Sequence, residues 1–122
     1  MTLRTSVCQH CRKPLTFVQY HAGFSDQGFL YCGKDGTVLT WSSYDRHYTA
    51  VAMDKHPWML DDDERDRVEK RLRRCPCGGT FAFRNPPLCR HCLTDISSLV
   101  SDSDHYIVVG NRIDGDDTAI WT

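Results

Sequence analysis

Closely spaced cysteine pairs constrain this chain more than any other feature. Six of its seven cysteines fall into Cys-x-x-Cys or Cys-x-Cys pairs, at 8–11, 75–77 and 89–92. The seventh, Cys32, is followed three residues later by Asp35 and then Gly36. Clustered cysteines in a chain with reduced thiols bind metal more often than they form disulfides. The sequence therefore predicts metal-binding knuckles, tight turns that each present two ligands, with Asp35 at the position of an eighth cysteine.

The second half of the chain holds enough cysteines for a complete site. Gly78 and Gly79 let the backbone turn beneath a metal and leave N–H groups free to reach sulfur. Four thiolates are the full ligand number of a closed structural zinc site. We expect one zinc ion to be bound by Cys75, Cys77, Cys89 and Cys92.

The first half is one cysteine short of a second zinc site. Asp35 fills the deficit, because it lies at the Cys-x-x-Cys offset and a carboxylate oxygen is an accepted zinc ligand. The predicted second site is Cys8, Cys11, Cys32 and Asp35, and the open alternatives for its fourth ligand are a water or a histidine, His10, His21 or His47. An aspartate should make this site harder and weaker than four thiolates.

Two knuckles on β-hairpins around one metal resemble the zinc-ribbon family. The resemblance covers about residues 7–41 and 74–93, and it departs from the family at Asp35 and at the Cys-x-Cys spacing of 75–77. It implies a β-rich fold with a structural metal and does not imply a function, because zinc ribbons serve several functions. The two halves also echo each other in one detail, CQHC at 8–11 against CRHC at 89–92.

The remaining sequence predicts mostly strands and one helix. Short aromatic and β-branched runs indicate strands at 16–20, 28–32, 37–41, 48–53 and 105–110, with a further strand at TFAF, 80–83. Asp61 followed by Glu64 is typical of a capping box, and it opens a predicted helix over 61–74. We expect a small, β-rich α+β fold of two zinc-ribbon-like units joined by one helix, plus a C-terminal strand.

The predicted units are an N-terminal β unit at 1–56, a connector helix at 57–74 and a C-terminal ribbon with its tail at 75–122. We expect them to pack as one compact domain. No long apolar run predicts a membrane span, and the N-terminus lacks the apolar stretch of a secretory signal. The absence of both features favours a cytoplasmic protein. The two predicted four-ligand sites correspond to two zinc ions per chain.

The first functional hypothesis is a non-enzymatic module that binds another protein, as an adaptor, an accessory subunit or an immunity-type partner. The acidic run 61–64 would suit a basic partner, and the loop around Phe24 and the strand edges are further candidate surfaces. Enzymatic activity ranks last, because zinc-deaminase and His-Glu-x-x-His motifs are absent and only Asp45 with His47 offers an acid–base pair.

The alternative hypothesis is a nucleic-acid-binding zinc ribbon. Its aromatic platform for bases would be Phe81 or Phe83, and its cations would be Arg67, Lys70, Arg71, Arg73, Arg74, Arg84 and Arg90. The net charge of −1 disfavours this reading, because phosphate contacts usually need a clear basic excess.

Overall fold

The computed structural model describes residues 3–19, 27–42, 44–53, 55–100, 106–109, 112–115 and 119–122. The strands in these ranges are β1 (Leu3–Val7), β2 (Pro14–Gln19), β3 (Gln27–Cys32), β4 (Val38–Ser42), β5 (Phe81–Ala82), β6 (Tyr106–Val109) and β7 (Arg112–Asp114). The helices are α1 (Arg46–Ala52) and α2 (Asp62–Lys70), with single 3₁₀ turns at Pro57–Met59 and Ser97–Leu99. The predicted class, a small and β-rich α+β fold, is confirmed.

The strands form two sheets. A three-stranded antiparallel sheet has the order β1-β2-β6, and a four-stranded sheet has the order β5-β3-β4-β7. Within the second sheet, β3 pairs antiparallel with both β4 and β5, while β4 pairs in parallel with β7. Each sheet therefore contains strands from the beginning and from the end of the chain.

The four-stranded sheet is covered on both faces. Alternate residues of a strand point to opposite faces, and on β3 Leu30 and Cys32 join one buried cluster while Tyr31 joins another. All five residues of β4 except the last are buried. The sheet thus separates two hydrophobic cores, one beneath α1, α2 and the C-terminal tail, the other against β2 of the three-stranded sheet.

Helix α2 begins as the sequence predicts and ends earlier. The Asp61 carboxylate accepts a hydrogen bond from the Glu64 N–H at 2.8 Å, and the Glu64 side chain reaches back to the Asp61 N–H at 3.1 Å. The helix ends at Lys70, not at residue 74, because the next residues pair with the tail: the Arg73 N–H donates to the Ile120 carbonyl. Neither α2 nor any other helix in the described ranges is long and apolar enough to cross a membrane.

The strand predicted at 48–53 is wrong, because this segment belongs to helix α1. The Asp45 carboxylate caps the helix by accepting from the His47 N–H at 2.8 Å and the Tyr48 N–H at 3.3 Å. Tyr48 and Ala52, four residues apart, are both buried. The β-branched and aromatic composition of the segment suggested a strand, but the cap and the i,i+4 burial determined a helix.

The docking of α1 makes a testable prediction about two tyrosines. The hydroxyl of buried Tyr48 donates to the Lys55 carbonyl at 2.7 Å. Tyr48→Phe should lower the free energy of unfolding by about 1–2 kcal/mol, because that carbonyl loses its donor. Urea unfolding of the metal-loaded protein measures this, and Tyr44→Phe, at a side chain 75% exposed, is the matched control. Equal stability of the two variants would contradict the proposed contribution of this bond.

Candidate metal centres

Eight side chains with metal-binding atoms converge in two groups of four. The outer cluster, formed by the first and last ligand pairs of the chain, is Cys8, Cys11, Cys89 and Cys92; the inner cluster is Cys32, Asp35, Cys75 and Cys77. Within each group the ligand atoms all lie within 4.8 Å of one another. Each group is therefore positioned to hold one metal ion.

The eight residues are those singled out from the sequence, but the predicted grouping of them is wrong. The sequence analysis assigned the knuckles 8–11 and 32–35 to one site and the knuckles 75–77 and 89–92 to the other. In the structure the knuckles 8–11 and 89–92 form one cluster, and the knuckles 32–35 and 75–77, which lie between them in the chain, form the other. The physical reason is strand pairing: β3 pairs with β5 so that Cys32 lies opposite Phe81, which brings the 75–77 knuckle to Cys32. Each cluster links an N-terminal knuckle to a C-terminal one. The boundaries at 56/57 and 74/75 stay predictions.

The two knuckles of the outer cluster have the same backbone geometry. In the first, the Cys8 N–H donates to the Lys13 carbonyl at 3.0 Å and the Arg12 N–H donates to the Cys8 carbonyl at 2.9 Å. In the second, the equivalent bonds are Cys89 to Thr94 at 2.9 Å and Leu93 to Cys89 at 2.8 Å. Arg12 and Leu93 both have positive φ, 65° and 62°. The matching letters CQHC and CRHC therefore belong to two turns of the same geometry that meet in one cluster.

Asp35 occupies the second ligand position of a knuckle of the same type. The Cys32 N–H donates to the Thr37 carbonyl at 2.8 Å, and the Gly36 N–H donates to the Cys32 carbonyl at 3.2 Å. Gly36 has φ 76°, matching the left-handed residue that follows the second cysteine in the outer knuckles. The backbone thus presents the Asp35 carboxylate where those knuckles present a thiol.

The 75–77 knuckle is one residue tighter and follows the same plan. The Cys75 N–H donates to the Gly79 carbonyl at 3.0 Å, and the Gly78 N–H donates to the Cys75 carbonyl at 2.8 Å. Gly78 has φ 92°, which glycine adopts at little cost. Gly79 has no room for a side chain, because a Cβ there would lie 2.5 Å from the Cys32 sulfur. The two glycines therefore allow this turn to approach the opposite knuckle.

The distances between ligand atoms match a tetrahedral ion. Metal–sulfur bonds of about 2.3 Å at tetrahedral angles place two sulfurs about 3.8 Å apart, and a sulfur and a carboxylate oxygen about 3.6 Å apart. In the outer cluster the Cys8–Cys92 and Cys11–Cys89 sulfurs are each 3.7 Å apart. In the inner cluster the Cys32 and Cys77 sulfurs are 3.5 Å apart, and an Asp35 oxygen is 3.6 Å from the Cys75 sulfur.

Backbone N–H groups point at the sulfurs in both clusters. The Lys34 N–H is 3.4 Å from the Cys32 sulfur, the Gly79 N–H is 3.4 Å from the Cys77 sulfur, and the His91 N–H is 3.4 Å from the Cys89 sulfur. Such hydrogen bonds favour the thiolate over the thiol and fix the orientation of each ligand. The knuckles therefore supply the outer-shell contacts that a metal site needs.

Burial makes the inner cluster depend on a cation. Burial raises the pKa of the Cys75 thiol to about 12 and also raises the pKa of the Cys32 thiol. Burial is the largest single influence on Asp35 and acts to raise its pKa, but hydrogen bonds from Thr37, whose N–H lies at 2.9 Å, and from Cys32 and Cys77 together outweigh it and hold that pKa at about 2. The cluster thus contains an ionised carboxylate beside thiols that resist ionisation, and a divalent ion at its centre would stabilise all of the anionic forms.

The histidines considered as alternatives to Asp35 are not cluster members in the described part of the chain. His10 lies exposed in the outer knuckle. The His47 ring stacks on Trp121 with the ring centroids 6.1 Å apart. His21 and Phe24 both lie outside the described residues. Asp35 is therefore the fourth ligand that the described geometry brings to the inner cluster.

Comparison with known proteins gives one match. The model of a protein family described as Domain of unknown function (DUF8255) matches residues 4–98. No curated protein and no solved structure matches the chain. The matched range begins within β1 and contains all eight residues of the two clusters.

Double substitutions distinguish the observed grouping from that of two separate ribbons. Cys8→Ser with Cys92→Ser removes two ligands from the outer cluster only, so one metal ion per chain should remain. Cys8→Ser with Cys32→Ser damages both clusters, so the chain should lose both ions, or bind them far more weakly. Native mass spectrometry after a mild chelator challenge measures the stoichiometry. If Cys8→Ser/Cys32→Ser keeps one ion while Cys8→Ser/Cys92→Ser loses both, the observed grouping of the knuckles is contradicted.

Substitution at Asp35 tests its place in the inner cluster. Asp35→Ala should weaken metal binding at that cluster by more than the roughly 10–100-fold that loss of a second-shell partner costs, and leave the outer cluster unchanged. Asp35→Cys should keep or tighten the inner ion, because the backbone turn already suits a cysteine. Chelator competition measures both affinities, with exposed Asp62→Ala as the control. Full metal retention by Asp35→Ala would remove Asp35 from the ligand set.

Proposed function

The chain belongs to the family described as Domain of unknown function (DUF8255), and we propose that it is a zinc-stabilised protein-binding module with no catalysis of its own. The observation that supports this most directly is that each cluster contains four protein ligands. Four protein ligands complete the coordination of a structural zinc and leave no position for a substrate or a reactive water. Its role is that of an adaptor, an accessory subunit or an immunity-type partner of another protein.

The ligand types favour zinc over other metals. Calcium and magnesium take oxygen ligands, and neither suits a site with three or four sulfurs. Tetrahedral sites of four sulfurs suit zinc or iron, and zinc also accepts a carboxylate as its fourth ligand. One metal that suits both clusters is therefore Zn²⁺, at two ions per chain. All seven thiols are free of disulfides, which agrees with a reducing compartment such as the cytoplasm.

Both ions would support the cores of the protein. Cys8 and Cys89 of the outer cluster belong to one buried hydrophobic cluster, and Cys32 and Cys75 of the inner cluster belong to the other. Structural zinc contributes on the order of 10–16 kcal/mol to folding in small peptides. Each ion would therefore join two knuckles and the core that surrounds them, and its role would be to hold the surface in shape.

The contacts of Asp45 and His47 argue against acid–base catalysis by this pair. The Asp45 carboxylate accepts from two backbone N–H groups at the start of α1, and the His47 ring stacks on Trp121. In a catalytic pair the Asp45 carboxylate would instead accept a hydrogen bond from the imidazole N–H of His47 or from a substrate. The capping geometry accounts for Asp45 in full.

The aromatic contacts favour a protein over a nucleic acid as partner. Phe81 is buried in the core, 5% exposed. Phe83 packs edge-on against Trp41 at 6.5 Å, with the Arg65 guanidinium 5.7 Å from its ring centroid. Bases stack on exposed rings, so neither phenylalanine serves as a platform. Lys70 is paired with Asp66 at 2.8 Å, which further reduces the positive charge offered to phosphate.

Exposed apolar side chains support binding to another protein. The large apolar side chains at the described surface are Leu3, Val7, Tyr44, Met53, Met59 and Leu93, and three of them are more than 60% exposed. Methionine and tyrosine are enriched at protein interfaces, where side chains that are exposed in the free protein become buried against the partner. These side chains are therefore available for contact with a partner protein.

The proposal is tested by reconstituting a complex. The tagged chain is purified gently from its host, a co-purifying protein is identified, and both are produced separately for calorimetric titration. The metal-loaded chain should bind that protein with a defined stoichiometry, and the double variant Cys8→Ser/Cys92→Ser should bind it at least about tenfold more weakly. The proposal fails if the two purified proteins do not bind, or if the chain instead binds DNA or RNA with a steep salt dependence.

A further inference from the structure

Strand β1 is an open edge of the three-stranded sheet. It pairs with β2 on one side, and no strand in the described ranges pairs with its other side. With five residues it is the longest of the described edge strands, since β6 has four, β7 three and β5 two. An open edge offers unpaired N–H and C=O groups to another strand.

The β1–β2 register determines which residues of β1 face outward. The Cys8 N–H donates to the Lys13 carbonyl, directly beyond the last pair, Val7 with Pro14. Hydrogen-bonded and non-hydrogen-bonded pairs alternate along antiparallel strands. Arg4 and Ser6 therefore direct their backbone groups toward β2, and the outward groups belong to Leu3, Thr5 and Val7. Pro14, which lacks an N–H, lies opposite Val7 in agreement with this phase.

The same three residues also present their side chains to solvent. Leu3 is 66% exposed and Val7 49%, and Thr5 between them is exposed. Arg4 lies on the other face, where its guanidinium donates to the Leu99 carbonyl at 2.8 Å and lies 5.8 Å from the Phe17 ring centroid. Its charge is therefore directed to the body of the protein and does not shield the edge as an outward lysine would.

We propose that β1 pairs antiparallel with β1 of a second copy of this chain, centred on Thr5, to form a continuous six-stranded sheet. In this register Leu3 lies opposite Val7 of the second copy, Thr5 opposite Thr5, and Val7 opposite Leu3. The outward backbone groups of both copies then meet as hydrogen-bonded pairs, with about six bonds across the interface. The four exposed apolar side chains form two Leu3–Val7 pairs on one face, one on each side of the central threonine pair.

The sequence of β1 fits a second copy of itself better than an arbitrary strand. Read antiparallel about Thr5, LRTSV places apolar against apolar, threonine against threonine, and Arg4 against Ser6. No like charges face each other, and such opposition would be destabilising. A two-fold contact of this kind uses the same patch on both chains and closes without further growth. Leu3 and Val7 are also among the exposed apolar side chains that support the partner-binding role, and the experiments below distinguish the two roles.

Substitution by proline at Thr5 tests the pairing. Thr5 directs its N–H outward, so Thr5→Pro should remove bonds only from the dimer and leave the β1–β2 ladder intact. The metal-loaded wild type should show a monomer–dimer equilibrium in analytical ultracentrifugation. Thr5→Pro should raise its dissociation constant at least tenfold, while Thr5→Val, which keeps the N–H, should not. A wild type that stays monomeric at about millimolar concentration, or a dimer unaffected by Thr5→Pro, would overturn the proposal.

A charge-pairing experiment tests the register and does not depend on proline. Leu3→Lys and Val7→Glu should each weaken the homodimer. Mixing the two variants should restore a heterodimer, because Lys at position 3 then faces Glu at position 7 while the other end keeps its Val7–Leu3 pair. Mixing Leu3→Lys with Leu3→Glu is the matched control and should restore much less, because the new charges do not face each other.

Equal recovery in the two mixtures would reject the Thr5-centred register. A monomeric chain whose complex with a different protein is lost in Thr5→Pro would assign the edge to a foreign strand and would also overturn the proposal. The metal content of each variant, measured in parallel, shows whether it has folded. Failure of the dimer leaves the reconstituted complex of the proposed function unaffected, so the two results are distinguishable.

Discussion

The pairing of β3 with β5 is the constraint on which the rest of the structure depends. It places Cys32 opposite Phe81, and so brings the turn that precedes β5 against the turn that follows β3. The inner cluster is the direct result, with the Cys32 and Cys77 sulfurs 3.5 Å apart although 45 residues separate them in the chain. The outer cluster repeats this over 84 residues, from Cys8 to Cys92. Two metal ions would thus each connect an N-terminal knuckle to a C-terminal knuckle, the inner ion between 32–35 and 75–77 and the outer ion between 8–11 and 89–92.

The four-stranded sheet lies between the two hydrophobic cores that contain the metal-binding cysteines. It has one hydrophobic core on each face, and each core contains cysteines of one cluster. Because side chains alternate along a strand, adjacent residues such as Tyr31 and Cys32 belong to different cores. The two clusters therefore lie in different cores, and damage to one should leave the ligands of the other in place. This arrangement gives a small chain two supported cores, where apolar burial alone would give little stability.

Asp35 takes the position of a metal ligand because of the backbone turn that carries it, although it is not a cysteine. The turn keeps the hydrogen bonds and the left-handed glycine of a cysteine knuckle, and only the ligand atom has changed from sulfur to oxygen. The Thr37 N–H orients the carboxylate, as a second-shell donor does, and it is one of several hydrogen bonds that keep the pKa of Asp35 low against the effect of burial. The 32–35 turn thus has the geometry of the outer knuckles but differs from them in ligand chemistry, so an ion in the inner cluster should exchange more readily than one in the outer cluster.

The sequence by itself determined the local features: the eight candidate ligands, Asp35 in the place of a cysteine, the capping box of α2 and the β-rich character. These depend on contacts within about five residues, which spacing and residue type control directly. It did not determine α1, where strand-forming residues at 48–53 were overruled by the Asp45 cap and by burial of Tyr48 and Ala52. Only the tertiary structure decided which knuckles share an ion, because that choice follows from strand pairing across 45 to 84 residues, and equivalent knuckles are interchangeable in local sequence.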